Sequence, residues 1–539
     1  MPPTYQDIIK IPINRIYNHQ KRMITQVKRL YLLLIIAFLL KLSDSKGQNS
    51  IAFKKPIEIV LSKNYNRNLK SGSRLIVYGI EKKRDQNGYV EIYYYGNDSL
   101  GVNHSIKSSY IEDAIYPTNP TIEEVWEIGL IKEKVYHNLL SYGYQYDLRS
   151  ELNQEAVSYL NILNEKELIF NDSYLEDYLY KLLNKIHVGY LADNRPGNLS
   201  IKILKDATPN AMTLSNGCII VSTGLLSCMR TESELISVLA HEVAHFVNDH
   251  HVLSYAKEIE RQKRAEFWGT LATSLAIATD AYLASNNKNY TFGILSSSAA
   301  IAATLVSETV VERMGIKYSH EQEFNADFLA KNALNALGID DYSFASALQL
   351  LEKNFYMNGQ YTALIGGKTH PSINDRIFRL GFLYKSDTLR NDKYDAKISL
   401  VNTFNAAWLF YTKSDFLSAL KLVNRNILAN AGSADDFLIK SRIIRRLSDT
   451  QESNLEALEL LNKSKQLSSD KLLTYDKDEA LIHLRLNDKT KAKECFNRYR
   501  ITLSNELPDS KQSLNSHYLS YMQKELSWTN DMLSKIDSL

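Results

Sequence analysis

The chain has 539 residues, with 64 Lys and Arg against 61 Asp and Glu, a net charge of +3. Hydrophobic residues make up 44% and charged residues 23%, an ordinary globular balance that excludes a chain-wide basic field for nucleic acid. A single core is excluded by length, and only 21 Gly and 10 Pro predict a multidomain, mainly helical protein.

The first element is an address. Lys21, Arg22, Lys28 and Arg29 precede an unbroken apolar run, Leu30–Leu40. As a helix this run rises about 16 Å, half of a ~30 Å hydrocarbon core, short for a permanent span, and an uncleaved anchor is the alternative to a cleaved signal. Basic flank, apolar run and the polar segment Ser43–Ser50 predict a signal peptide over 1–47, with Ser45 and Gly47 before the cut and Gln48 leading the mature chain. Translation from Met23 gives the basic region a normal length. Cys218, Cys228 and Cys495 are too few for a disulfide framework and read as small buried hydrophobes.

Residues 51–116 read as β. Two β-rich runs flank a hairpin signal at Asn87-Gly88, and the second ends at Gly96-Asn97, which predicts a small β barrel of the bacterial Src-homology type. Pro117 and Pro120 mark a linker. Connecting helices follow over 121–165, with Ile122, Val125, Trp126 and Leu130 on one face and Glu123, Glu124 and Glu127 turned away. A helix over Ser173–Ile186 leads into two β-branched runs, Leu199–Leu204 and Gly217–Leu226, and the turn-rich stretch between them supplies an edge strand.

Thr231 and Glu234 form a capping box that opens an apolar helix. Four of the chain's 12 histidines, His241, His245, His250 and His251, fall within it or just beyond. Two apolar stretches within 267–307, rich in Ser, Thr and Ala, read as a helical hairpin packed on the protein, with a membrane-touching hairpin as the alternative. From 391 to 539 the chain is helical. Ala407 and Ala419 lie twelve apart, as do Ala480 and Ala492, with Ala457 between, and a period near 34 resembles tetratricopeptide repeats. Arg445 departs from that pattern, standing where the middle copy wants a small residue.

His241 and His245 are four apart on a helix, so their rings project toward one point. Glu242 lies about 100° round, close enough to touch a water there without being a ligand. Two imidazoles suit Zn²⁺, which needs a third protein ligand and leaves a place for water. A carboxylate beside that water takes its proton as it attacks a carbonyl. The third ligand has two solutions. His251 falls ten after His241, as in the longer metzincin-type signature, but Asn248 stands where that signature wants Gly. The other is a carboxylate of the helix at 319–334, which offers Glu321, Glu323 and Asp327. Glu323 and Asp327 are one turn apart, so one can bind metal while the other orients a histidine.

From about Asn171 to Leu389 the chain resembles the HtpX-type and CAAX-prenyl-protease-type zinc metallopeptidases, peptidase family M48. Four motifs carry the resemblance in order: PNAMTLSNGCIIVSTGLL, ELISVLAHEVAHFVNDHH, HEQEFNADFLA and THPSINDRI. It implies an α+β, zincin-like (gluzincin) peptidase domain over 166–390 with a short sheet and one Zn²⁺ per chain. His241, His245 and Glu323 would be the ligands, Asp327 the residue behind them, and Glu242 the general base. The family frequently has Arg shortly before its ligand Glu, where this chain has His320. His370 and Arg376 are implied to return near the zinc, His370 as an oxyanion donor or a gate. The plainer alternative is a turn fixed by Pro371, with Arg376 tied to an acidic helix. If the first motif helix runs on, His250 and His251 lie past the metal as a solvated or structural pair.

Asn210, Ala211 and Met212 form the expected edge strand for an extended substrate. Relatives with repeat tails look like envelope quality-control factors for misassembled outer-membrane proteins. The expectation is therefore an exported zinc endopeptidase of the periplasm or cell envelope, acting on misfolded polypeptides, whose separate tail recruits clients. The alternative is a periplasmic chaperone with a latent or gated zinc site. A prenyl-protein endopeptidase is set aside because it needs several membrane spans.

Overall fold

A computed structural model describes residues 50–84, 88–140, 144–186, 199–261, 318–357, 371–381, 392–469, 472–507 and 516–538. The signal at 1–47, Asn87, the apolar stretches within 267–307 and His370 lie outside the described residues. The chain divides into two compact units, one built on the first sheet and one holding the second sheet and the C-terminal helices.

In the first unit, β1 (Ser50–Val60), β2 (Arg74–Arg84), β3 (Val90–Asp98) and β4 (Asn103–Lys107) pair antiparallel in sequence order. Alternation puts Leu75, Val77, Tyr94 and Ile106 inside. The predicted barrel is corrected to an open meander. Among the described residues β1 pairs with β2 and β4 with β3, and no β1–β4 ladder closes the sheet. Beyond the fourth strand a single antiparallel bridge, Val60 to Ile115, meets the end of β1 without forming a further strand. Helix α1 (Ser108–Ile111) follows directly.

Helix α2 (Ile122–Lys132) buries Val125, Trp126 and Leu130 as the pattern predicts. Glu127, expected on the outer face, is buried too, because the helix is enclosed all round from Val125 to Ile131. Trp126 donates its indole N–H to the Ile186 carbonyl at 2.9 Å. Then come α3 (Val135–Leu139), α4 (Tyr144–Glu165) and α5 (Ser173–Ile186).

The second sheet holds β5 (Ser200–Leu204), β6 (Ala211–Thr213) and β7 (Cys218–Ser222) in the order β5-β7-β6. β7 is central, parallel to β5 and antiparallel to β6, so β6 is an edge. The run read as a strand to Leu226 stops at Ser222. That side chain accepts from the Leu225 N–H at 2.9 Å and starts a short helix, α6 (Thr223–Cys228). Next are α7 (Glu232–Val247), α8 (His250–Arg261), α9 (His320–Ala336), α10 (Tyr342–Met357) and α11 (Ile373–Arg379).

The C-terminal helices are α12 (Asp392–Lys397), α13 (Ser399–Trp408), α14 (Phe416–Leu428), α15 (Ala434–Leu447), α16 (Gln451–Leu467), α17 (Tyr475–Arg485), α18 (Lys489–Glu506) and α19 (Ser516–Ser538). From α13 on, each packs on the next. Ala419, Ala457, Ala480 and Ala492 are fully buried, as small residues at helix crossings should be. Arg445 instead reaches Asp478 at 3.0 Å. The three cysteines are free, with Cys218 and Cys495 buried. No described helix is long and apolar enough to cross a membrane.

Candidate active site

The capping box that opens α7 is present. The Glu234 N–H reaches Thr231 Oγ1 at 3.1 Å, and the Thr231 N–H reaches Glu234 Oε2 at 3.0 Å. The helix is buried from Glu234 to Val247, so polar groups on it need partners. His241 and His245 turn their Nε2 atoms toward each other at 3.1 Å. Helix α9 crosses α7 and brings Glu323, fully buried, to the same point. Its Oε2 is 3.6 Å from His241 Nε2 and its Oε1 3.5 Å from His245 Nε2. Among the described residues these three form a group able to hold a metal ion.

The spacing fits zinc. Bonds of ~2.0 Å at tetrahedral angles put neighbouring ligand atoms about 3.3 Å apart, and the three separations fall on either side of that. Burial disfavours protonated His241, but its hydrogen bond to the Asp327 carboxylate and the nearby Glu323 carboxylate outweigh this and hold the ring up to about 9. Burial pushes His245 well below its ordinary value. Both Nε2 atoms and the Glu323 carboxylate face one point, so a cation there would take a lone pair from each.

Asp327, one turn beyond Glu323, sits 2.9 Å from His241 Nδ1. Arg376 of α11 holds the same carboxylate, Nε to Oδ2 at 2.7 Å and Nη2 to Oδ1. Burial would raise the Asp327 carboxyl, but the Arg376 charge overcomes this and keeps it below the usual range. Arg376 therefore comes near the centre as the resemblance implied, tied to an acidic helix as the plainer reading had it.

Glu242 faces an open cleft of about 110 Å³, lined also by Ala211, Leu225, Val238, Phe344 and Ile373. Thr213 at the end of β6 shares its one hydroxyl proton between the carboxylate and the backbone carbonyl of Glu242, both at 3.0 Å. Sequence reasoning named Asn210, Ala211 and Met212 but passed over Thr213, although strand alternation puts it on the same side as Ala211. Ser222 N bonds the Asn210 carbonyl and Leu214 N the Cys218 carbonyl. The alternating ladder therefore turns the peptide groups of Ala211 away from β7.

His250 and His251 are not solvated. The helix does not run on: Asn248 ends it and Asp249 takes a left-handed φ of 59°, so α8 turns back and both rings are buried. His250 Nδ1 lies 2.9 Å from His245 Nδ1. His251 Nε2 sits between the Thr213 carbonyl and the Tyr318 hydroxyl, the latter at 2.8 Å. Tyr318 also stacks on His245 with centroids 3.8 Å apart. No spacing in the sequence points to Tyr318, which precedes the α9 capping residue Ser319 by one position.

Residues 177–381 match Peptidase family M48. Over 229 residues the chain is 25% identical to a Vibrio cholerae serotype O1 protein that bears the provisional name beta-barrel assembly-enhancing protease. That similarity takes in 42% of this chain and 43% of the relative, so the chain spans less than half the length of the curated relative it matches.

Proposed function

We propose that this chain is a zinc-dependent endopeptidase of the cell envelope, with His241, His245 and Glu323 as ligands and Glu242 as general base. The observation that carries the reading is the convergence of those three ligands beside Glu242, in a cleft bordered by a sheet edge. When bound, zinc supplies positive charge that acidifies water and polarises a carbonyl. Glu242 takes the proton of the attacking water and returns it to the departing amine. Thr213 fixes the carboxylate for that transfer. Asp327 accepts from His241 Nδ1, which keeps the Nε2 lone pair aimed at the metal, and Arg376 balances the Asp327 charge. Ala211 offers its outward peptide groups to an extended substrate, with Asn210 and Met212 flanking it as the edge.

The name of the Vibrio relative supports a protease that serves β-barrel assembly; on this reading the substrates are misassembled outer-membrane proteins and the site of action is the periplasm, in line with the signal expected at 1–47. The buried alanines of the C-terminal helices support the tetratricopeptide-like reading. Degradation of a misassembled envelope protein by wild type and by Glu242→Gln, with zinc measured on both, tests the proposal. Loss of cleavage with zinc retained is expected. Equal client protection by both proteins, without cleavage by either, would make the chain a chaperone.

A further inference from the structure

Helix α6 has six residues, too few to be stable alone, and its last carbonyls have no partner within the helix. At its start Ser222 provides the cap, and the Gly224 N–H reaches the Asp206 carbonyl at 2.7 Å. A β-carbon at Gly224 would lie 2.3 Å from the Ala207 carbonyl oxygen, so only Gly fits there. Its other end is held from the C-terminal helices. Tyr394 of α12 donates its hydroxyl to the Leu226 carbonyl at 2.8 Å. Arg425 of α14 donates Nη2 to the Met229 carbonyl at 2.8 Å and Nη1 to that of Ser227. Its Nε holds the buried Asp395 at 3.0 Å. Asn405 of α13 donates Nδ2 to the Thr223 carbonyl at 2.8 Å and meets the Ser227 hydroxyl at 2.9 Å.

Any buried helix end needs such partners. What distinguishes this one is Leu225, on the same short helix, which lines the cleft with His241, Glu242 and Val238. The cleft wall is therefore anchored to the sheet at one end and to residues 168 to 198 positions further along the chain at the other. A second link reaches the metal-ligand helix, where Lys397 bonds Glu232 in the first turn of α7 at 3.2 Å.

We propose that Tyr394, Asn405 and Arg425 are positioning residues for the substrate cleft: through α6 they fix the Leu225 wall, so the first C-terminal helices belong to the catalytic fold. This rests on reading the cleft as a peptidase site. The test uses full-length, zinc-loaded protein and two mild variants. Tyr394→Phe removes one hydroxyl, and Arg425→Lys keeps a charge for Asp395 while losing the fork. Hydrogen exchange is followed at the α6 and α7 amides, and kcat/KM is measured on two fluorogenic peptides differing only in Leu or Ala after the cleaved bond. In both variants the α6 amides should exchange about tenfold faster with α7 and zinc content unchanged. The ratio of kcat/KM for the Leu peptide to that for the Ala peptide should change about threefold, because Leu225 borders the cleft. Unchanged α6 exchange, an equal rise over α6 and α7, or an unaltered Leu preference overturns the proposal. If wild type cuts neither peptide the peptidase reading fails, and α6 exchange still decides whether these side chains hold the wall.

Discussion

Arg376 and Asp327 meet through a forked pair of hydrogen bonds inside the protein, and the same carboxylate sits against His241 Nδ1. A residue 49 positions beyond Asp327 thus bears on the orientation of His241, the proposed metal ligand, through Asp327 and through its own Nη2, 3.4 Å from His241 Nδ1. Removing Arg376 leaves a buried carboxylate without its counter-charge, which costs about 3–5 kcal/mol. Arg376→Ala should therefore lower the melting temperature and weaken zinc affinity about 10–100-fold, as read by competition with a chelating dye. Wild-type affinity in a folded variant would show that Arg376 serves the fold alone.

The ligand set makes a separate claim. His241→Ala, His245→Ala and Glu323→Ala should each lose zinc on purification, whereas His251→Ala should keep it, because His251 is engaged by Thr213 and Tyr318. Elemental analysis of the four variants decides this. Full zinc in Glu323→Ala with loss in His251→Ala would restore the metzincin-type alternative.

Much of this was legible in the sequence because it rests on local rules. The capping box and the four-residue spacing of His241 and His245 follow from rules within one element, and the edge strand was read from the turn-rich stretch between two β-branched runs. What stayed hidden depends on meetings between elements. Thr213 touches Glu242 across 29 positions and Tyr318 stacks on a ring 73 positions earlier, as their numbers show. The turn at Asp249 was not expected, because the reading let the first motif helix run on past a residue that tolerates the left-handed region. The four-stranded sheet read as a barrel because alternation reports which side is buried and not whether the ends meet.

Thr213 offers a graded test of the base. One hydrogen bond to a carboxylate is worth about 1.5–3 kcal/mol. Thr213→Val should lower kcat on a short peptide by about tenfold or more while zinc content and KM hold. Glu242→Gln should lose about 10²–10⁴ in kcat, the usual scale for a general base. A fall in KM and kcat alike for Thr213→Val would point to a disturbed edge strand.

The edge itself can be probed through Ala211. If its outward N–H pairs with substrate, Ala211→Pro removes that bond while keeping an extended φ. The loss in kcat/KM should be about five- to tenfold, matching about 1 kcal/mol for one neutral hydrogen bond. The partner of that N–H is a substrate carbonyl, so a substrate carrying a thioamide or an ester at the facing carbonyl, a weaker acceptor, identifies it. Equal cleavage by Ala211→Pro and wild type would remove strand pairing from the mechanism.

The C-terminal helices give the last prediction, because a boundary at 391 cuts through hydrogen bonds. A chain ending there lacks Tyr394, Asn405 and Arg425, and leaves the buried carbonyls of Leu226, Ser227 and Met229 without those donors. Each buried group left unpaired costs about 1–3 kcal/mol. Three such losses are of the order of a whole domain's stability, about 5–15 kcal/mol. The shorter chain should therefore be insoluble or lack a cooperative melting transition, and should fail to retain zinc. A chain ending after Ser448 keeps α12 to α15, including the buried Asp436, which accepts from Thr403 at 2.8 Å and Asn426 at 3.0 Å. It should hold zinc and cut a short peptide, while losing whatever client binding α16 to α19 provide. If the chain ending at 390 melts cooperatively with zinc bound, the tail is a detachable module and the α6 contacts are incidental to the site.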